Sequence, residues 1–335
     1  MSGFRTLGAI LVVAGTSALG CTGGSDGGSV TGGPAGDERV SATEDRPRGS
    51  QASRQSAGCD PDGVGFFGDN QLTSTGSIAV DGIERRYTIG LPANYRPDRP
   101  SPLIVALHGW AADAAGLEAL SDLVVLGSAS GYMTVLPEGE DGDWELAPEG
   151  HDARFLVALL DHLETTRCVD LDRIHGAGVS MGAWKIAITA CTFPGRFASL
   201  ALVTVEVFPG ECDPLAVIAF HGTADVVVPY GEGGDDVVGV DAFNATLPGA
   251  LDNIAAWALN AGCSSEPTES RLEPDVVVRS YTECDRDAEV VLYTIEGGGH
   301  TWPGSARPDA FGQTITRTVS ATELSLDFFD AQPRR

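Results

Sequence analysis

Basic residues are scarce in this chain of 335 residues: 21 Lys and Arg stand against 47 Asp and Glu, so the formal net charge is −26. So few cations cannot neutralise a phosphate backbone, which excludes nucleic acid as a partner, and the charge is unsuited to docking on an anionic membrane surface. Long apolar runs are also lacking after the first segment, so we expect no internal transmembrane helix. Hydrophobic residues still make up 42%, enough to bury a core.

Residues 1–20 have the features of a secretory signal peptide. Arg5 precedes a short apolar stretch, Leu7 to Val13, and small residues follow it. Cys21 comes next and resembles the lipidated cysteine of a bacterial lipoprotein signal, which would make a lipid anchor the only membrane attachment. Ala18 stands where such signals usually carry a branched aliphatic residue, so plain secretion stays open. Both alternatives predict export, to the cell envelope or the extracellular space.

A disordered tether is expected to follow over residues 21–58. This segment is rich in Gly and Ser and has no hydrophobic period, so it cannot bury enough surface to offset its chain entropy. The folded part is then expected at 59–333, as a single catalytic domain.

The chain has seven cysteines, and none has the Cys-x-x-Cys spacing of a metal site. No two histidines have His-x-x-x-His spacing either, so we expect no metal and no cofactor. Six cysteines follow Cys21, and an even number in an exported chain indicates disulfides, although the residues alone leave many pairings open.

Strand and helix patterns alternate along residues 59–333. Short continuous apolar runs are typical of parallel strands buried on both faces, and apolar residues at helical spacing lie between them. The pattern predicts an α/β fold with a mostly parallel central sheet and helices on both faces. Predicted strands are Arg86–Leu91, Leu103–Leu107, Met133–Leu136, Arg173–Ala177, Leu200–Thr204, Ala216–Phe220 and Val290–Ile295. Predicted helices are Leu117–Ala129, Phe155–Leu163, Gly182–Thr192, Ala250–Asn260 and a last one opened by the capping box Ser320-x-x-Glu323.

A Gly-x-Ser-x-Gly motif, Gly178 to Gly182, lies between a predicted strand and a predicted helix. At such a turn the serine is forced into a strained position and its hydroxyl projects above the sheet. Ser180 is therefore the candidate nucleophile. The backbone N–H of Met181, at the start of the helix, is a candidate oxyanion donor.

Three other predicted strands are also followed closely by candidate catalytic or oxyanion-binding residues. His108-Gly-Trp110 follows one of them, and the backbone N–H of Trp110 would be the second oxyanion donor. We interpret the ring of His108 as structural. Asp225 and His300 follow two later strands, and the order Ser180, Asp225, His300 is that of α/β-hydrolases.

Two tryptophans are candidate pocket residues. Trp144 lies in a loop after a predicted strand, where it could line the substrate pocket or pack. Trp302 follows His300 and could touch substrate, although packing of the loop that aims His300 is the commoner role.

These segments together resemble a family of secreted esterases that includes feruloyl esterases, acetyl xylan esterases and polyhydroxybutyrate depolymerases. The resemblance covers residues 56–305, and its most specific segments are His221–Asp225 and His300–Gly304. It implies an α/β-hydrolase fold with a triad of Ser180, Asp225 and His300. The local pairs Cys191–Cys212 and Cys263–Cys284, with Cys59–Cys168 as the third, fit this resemblance.

The sequence thus predicts an exported serine carboxyl-ester hydrolase. Within the family, feruloyl or acetyl esters of plant polysaccharide rank first, and the substrate would be a small or polysaccharide-linked ester. Hydroxyalkanoate oligomers are the alternative substrate. A non-catalytic surface lipoprotein that binds glycan is the alternative of another class.

Overall fold

A computed structural model describes residues 54–60, 73–231, 248–264, 266–307 and 312–334. The expected signal peptide, Cys21 and the expected tether up to residue 53 lie outside the described residues. No helix in the described ranges has the length and apolar character needed to cross a membrane.

Ten strands form one sheet in the described part of the chain. Their bounds are β1 (Thr73–Val80), β2 (Ile83–Gly90), β3 (Ser101–Leu107), β4 (Met133–Pro137), β5 (Val169–Val179), β6 (Ser199–Val203), β7 (Ala216–Gly222), β8 (Thr268–Glu273), β9 (Val276–Tyr281) and β10 (Val290–Ile295). The order across the sheet is β1-β2-β4-β3-β5-β6-β7-β10-β9-β8.

The centre of the sheet is parallel. Strands β4, β3, β5, β6, β7 and β10 pair in parallel, while the hairpins β1–β2 and β8–β9 add antiparallel strands at the two edges. The predicted mostly parallel sheet is confirmed. Since parallel strands end at the same edge, the loops after β3, β5, β7 and β10 meet there, which is where ligands bind in open α/β sheets.

Six α-helices cover the two faces of the sheet in the described ranges: α1 (Ala114–Ser121), α2 (Leu123–Ala129), α3 (His151–Thr166), α4 (Met181–Thr192), α5 (Ala250–Asn260) and α6 (Ala321–Ala331). The apolar residues of α3, α4 and α5 pack in one core cluster, and those of α1, α2 and α6 pack in another. Strand residues alternate between the clusters, as buried strands do.

The prediction of a single helix over Leu117–Ala129 is wrong. The helix is interrupted at Asp122, which separates α1 from α2. Asp122 has φ of 54°, a left-handed conformation that Asp tolerates better than most residues. The Glu118 carboxylate accepts hydrogen bonds from the N–H groups of Val124 (2.8 Å) and Val125 (3.3 Å), which caps the start of α2.

The expected boundary between tether and domain at residue 59 needs correction. Residues 54–58 already pack on the domain, since Gln55 pairs with Asp170 and the Ser56 N–H donates to the Val169 carbonyl at 3.0 Å. Ser56 is buried, and its hydroxyl donates to the Arg167 carbonyl at 2.7 Å. Hydrogen bonds to β5 and to the end of α3 therefore hold this polar segment on the domain.

The described residues contain three disulfides, and they have the pairing that the family resemblance suggested. Cys59–Cys168 ties the N-terminal segment to the domain, while Cys191–Cys212 and Cys263–Cys284 close loops of 21 residues in sequence separation. Cys191–Cys212 joins the last turn of α4 to the segment after β6.

His175, on β5, makes the fold sensitive to acid. Its ring stacks on Phe329 at 4.5 Å between centroids, and Nδ1 lies 2.8 Å from Ser199 Oγ. Burial lowers the pKa of His175 from 6.5 to about 3. Below pH 6.5 the unfolded chain binds a proton at His175, whereas the folded chain binds it only near pH 3. The free energy of unfolding therefore decreases as the pH falls from 6.5 to 3.

We expect the free energy of unfolding to fall by about 1.4 kcal/mol per pH unit between roughly pH 6 and 4 through this group. Urea titrations of the oxidised protein at several pH values measure the slope, and His175→Gln should flatten it by that amount. Phe329→Leu is the control, since it removes the stacked ring and keeps the titrating group. Equal slopes in the wild type and His175→Gln would contradict the prediction.

Candidate active site

Ser180 lies at a sharp turn between β5 and α4. Its φ of 55° is rare for a residue with a side chain, and such strain is typical of a nucleophile turn. Its N–H donates to the Val203 carbonyl at 2.9 Å, which fixes the turn to β6. Gly182 is required for close approach, because a Cβ there would lie 2.3 Å from the carbonyl oxygen of His108. The loop after β3 is thereby packed against the start of α4.

The two candidate oxyanion donors lie on these packed segments. Met181 is the first residue of α4, where the N–H has no partner within the helix and the helix dipole is positive. Trp110 follows Gly109, and a Cβ built on Gly109 would lie 3.4 Å from Ser180 Cβ. Within the described ranges, neither N–H donates to a protein acceptor. Trp110 is 48% exposed, so its side chain is not part of the hydrophobic core.

Trp144 does not line a pocket, which corrects the sequence-based assignment. Its side chain is buried, and the indole N–H donates to the His108 carbonyl at 2.9 Å. The His108 ring is also buried: Nε2 accepts from the Gly139 N–H at 2.9 Å, so Nδ1 carries the proton and donates to the Gly109 carbonyl at 2.8 Å. Both rings therefore brace the loop that carries Trp110.

Lys185, the only lysine of the chain, holds the other side of this brace. It lies on α4, is fully buried, and its ammonium donates to the carbonyls of Glu145 (2.6 Å) and Ala147 (3.2 Å). Burial lowers the pKa of Lys185 to about 8. The sequence offered no sign of this role.

Asp225 and His300 are in direct contact. Asp225 Oδ2 lies 2.7 Å from His300 Nδ1, and the side chains are 0% and 9% exposed. The other carboxylate oxygen, Oδ1, accepts from the N–H groups of Val227 (2.8 Å) and Val228 (2.9 Å). One carboxylate oxygen is thus held by backbone N–H groups, and the other orients the imidazole.

The loops that carry Asp225 and His300 are joined in two ways. Gly222 permits their contact, since a Cβ there would lie 2.2 Å from the Gly298 carbonyl oxygen. Gln313 Oε1 accepts from the His300 N–H at 3.0 Å and from the Val226 N–H at 3.2 Å. Gln313 thus joins the two loops, and no motif in the sequence predicts this contact.

Trp302 is also not a pocket residue, because it is 1% exposed. Its indole donates to Thr322 Oγ1 at 3.0 Å, which anchors the loop after His300 to α6. Packing of this loop, the commoner role for such a residue, is the one observed.

Ser180, the candidate nucleophile, lies at the same edge of the sheet as Asp225 and His300. It follows β5, while Asp225 and His300 follow β7 and β10 at the same edge. Among the described residues, no hydrogen bond joins Ser180 Oγ to His300. In serine hydrolases the contact between nucleophile and base is often long before substrate binds.

A buried ion pair lies behind Asp225. His221 Nδ1 is 2.8 Å from Glu206 Oε2, and the two side chains are 1% and 3% exposed. Burial acts to lower the pKa of His221, but the neighbouring Glu206 carboxylate outweighs it and raises the pKa to about 9. Glu206 was not predicted from the sequence. An acidic residue inside the apolar stretch Val203–Phe208 was the available signal.

An apolar crevice of about 660 Å³ lies along α4. One wall is Trp184 and Ile188, which lie one and two turns after Ser180 on the same helix face. The segment after β6 also contributes lining residues, Val207 and Phe208 among them, and Cys191 of the Cys191–Cys212 disulfide lines the crevice. The volume is that of ordinary ligand sites.

The described ranges contain no cluster of three or more His, Cys, Asp or Glu side chains able to hold a metal ion.

Curated proteins with similar sequences are esterases. Feruloyl esterase B of Piromyces equi is 28% identical over 231 residues, which are 64% of this chain and 42% of that protein. Feruloyl esterase D of Neurospora crassa is 26% identical over 267 residues, 74% of this chain and 83% of that protein. No family model matches the chain.

Solved structures agree on the fold. The acetyl xylan esterase of Aspergillus awamori superposes with a TM-score of 0.53 at 15% identity, covering 77% of this chain and 99% of its own. Native sOPH superposes with a TM-score of 0.50 at 16% identity, covering 80% and 90%. The chain is therefore similar in sequence to feruloyl esterases and has an α/β-hydrolase fold, as its motifs predicted.

Proposed function

We propose that the chain is an exported serine carboxyl-ester hydrolase that acts through an acyl-enzyme on feruloyl or acetyl esters of plant polysaccharide. The observation that carries this proposal is the 2.7 Å contact between Asp225 and His300 at the sheet edge where Ser180 sits on a strained turn. Sequence similarity to feruloyl esterases supports the substrate class. Export is supported by the three disulfides, which persist in oxidising compartments, and a lipid on Cys21 would be the anchor.

Each proposed catalytic residue has one role. Ser180 Oγ attacks the ester carbonyl carbon while His300 Nε2 takes its proton, and Asp225 holds the imidazole with the other proton on Nδ1. The Met181 and Trp110 N–H groups stabilise the oxyanion. Collapse of the intermediate breaks the ester C–O bond, and His300 returns its proton to the leaving alcohol. Water then attacks the acyl-enzyme with the same base, releasing the acid and restoring Ser180.

The crevice along α4 favours feruloyl over acetyl esters. Its aromatic side chains, Trp184 and Phe208, offer rings for stacking against an aromatic acyl group, whereas an acetyl group would leave most of the crevice unfilled. The Trp184 N–H donates to the Ser180 carbonyl at 3.2 Å, so this wall begins one turn from the nucleophile.

We expect Trp184→Ala to lower kcat/KM for methyl ferulate by about tenfold to a hundredfold, because a buried aromatic contact is worth roughly 1.5–3 kcal/mol. The rate for p-nitrophenyl acetate should change much less. Trp184→Phe, which keeps a ring, is the matched control and should retain most ferulate activity. Equal losses on both esters would contradict the aromatic assignment.

A fluorophosphonate probe tests the catalytic proposal itself. Folded protein should form one covalent adduct on Ser180, and peptide mass spectrometry locates it. Absence of an adduct on the folded protein would favour the non-catalytic glycan-binding alternative. Rates on methyl ferulate, acetylated xylan and hydroxybutyrate oligomers then separate the remaining substrate classes.

A further inference from the structure

We infer that Glu206 and His221 are positioning residues for the proposed triad. They form a buried ion pair that fixes the turn holding Asp225 and weakens the electrostatic attraction between Asp225 and the proton of His300. The inference rests on the proposed function. It concerns two side chains that the mechanism above does not use.

The ring of His221 is an imidazolium by the pattern of its hydrogen bonds. Nδ1 faces Glu206 Oε2 at 2.8 Å, and Nε2 faces the Val228 carbonyl oxygen at 3.0 Å. Both partners only accept hydrogen bonds when Glu206 is ionised, so both ring nitrogens carry protons. The raised pKa of His221, about 9, agrees with this charge state.

Hydrogen bonds connect the ion pair to Asp225. His221 Nε2–H donates to the Val228 carbonyl, and the Val228 N–H donates to Asp225 Oδ1 at 2.9 Å. The Trp257 indole, on α5, donates to the Glu206 carbonyl at 2.9 Å and holds the other end. A shift of the His221 ring would therefore move the turn that orients Asp225.

The pair also acts through its charge. His221 Nε2 lies 3.6 Å from Asp225 Oδ2, the oxygen that contacts His300. The groups that face His221 are Glu206 from the segment after β6, Asp225 on its own loop and the edge of the Tyr230 ring at 5.6 Å between centroids. Since the positive end of the pair is nearer the triad than the negative end, it weakens the hold of Asp225 on the His300 proton.

The double variant Glu206→Gln/His221→Gln tests the electrostatic role, because it removes both charges together and leaves neither buried without a partner. We expect the midpoint of the acid limb of kcat/KM against pH to rise by about half a unit to one unit. We also expect kcat/KM near neutral pH to fall by roughly tenfold. His175→Gln is the control, since it replaces a buried histidine whose described partners lie outside the site, and should leave the midpoint unchanged.

A second measurement does not depend on the folding or activity of the variant. Nitrogen-15 NMR of the wild-type protein labelled on histidine should show both ring nitrogens of His221 protonated at pH 7.5, with titration near pH 9. Resonance assignment of the wild-type protein identifies the His221 signal. A neutral His221 at pH 7.5 would overturn the inference.

The outcomes separate the inference from the proposed function. Wild-type protein that does not label with the fluorophosphonate overturns the proposed triad and this inference with it. Labelled wild-type protein whose double variant keeps the midpoint of the acid limb overturns the inference alone.

Discussion

Ser180→Ala is expected to lower kcat for ester hydrolysis by at least about three orders of magnitude while leaving the fold intact. The hydroxyl is the proposed attacking atom, and the members of a triad act as a unit, so the remaining residues cannot compensate. The backbone strain at Ser180 exists with or without the hydroxyl, and no side-chain hydrogen bond caps α4 there. Steady-state rates on methyl ferulate measure the loss, and the melting temperature should change little.

Ser325→Ala is the matched control for that variant. Ser325 is a buried serine on α6 whose hydroxyl has no hydrogen-bond partner in the described part of the chain. Removing it deletes the same atom away from the site, so activity should stay within about twofold of wild type. A Ser180→Ala protein that keeps a tenth of wild-type activity would rule out Ser180 as the nucleophile.

Asp225→Asn is expected to lose nearly as much activity, about three to four orders of magnitude. The N–H groups of Val227 and Val228 both donate to Oδ1, so they fix the carbonyl oxygen of the new amide on their side. The amide NH₂ must then face His300 Nδ1, which forces the imidazole proton onto Nε2, the atom that should act as base. The geometry is preserved and the tautomer is wrong.

Activity between about pH 6 and 9 measures this effect, since a change of tautomer is not repaired at any pH in that range. Asp275→Asn is the control: Asp275 also accepts two hydrogen bonds, from the Thr316 and Thr318 hydroxyls, in the turn between β8 and β9. That variant should keep near-normal rates. Substantial activity in Asp225→Asn at any pH would mean that Asp225 does not orient the base.

The sequence was informative where local chemistry determines the structure. The motifs around Ser180, Asp225 and His300 each follow a buried strand, and parallel strands bring their ends to one edge, so the arrangement could be predicted from residue order. The helix over Ala250–Asn260 and the strand over Val290–Ile295 were predicted with the observed bounds because their apolar spacing is regular.

The missed elements depend on contacts that the sequence does not display. The edge strands β1 and β8 are mostly exposed and polar, so they lack the apolar alternation that marks a strand, and they are held by pairing with β2 and β9. Trp144 could have lined a pocket or packed, and its burial and its 2.9 Å hydrogen bond to the His108 carbonyl decide for packing. The partnership of Glu206 with His221 likewise joins residues on two strand ends.

Because Lys185 is buried, its reaction with a reagent in solution can report local opening of the structure around it. No other side-chain amine exists in the sequence, and this one is enclosed between α4 and the Glu145–Ala147 segment. An amine-selective acylating reagent therefore reaches a side chain only when that segment detaches, and the attachment rate at Lys185 measures how often it does. Trp144 lies directly next to this segment, and its indole holds the loop that carries Trp110. The modification rate of Lys185 therefore also reports how often the structure that supports the Trp110 loop opens.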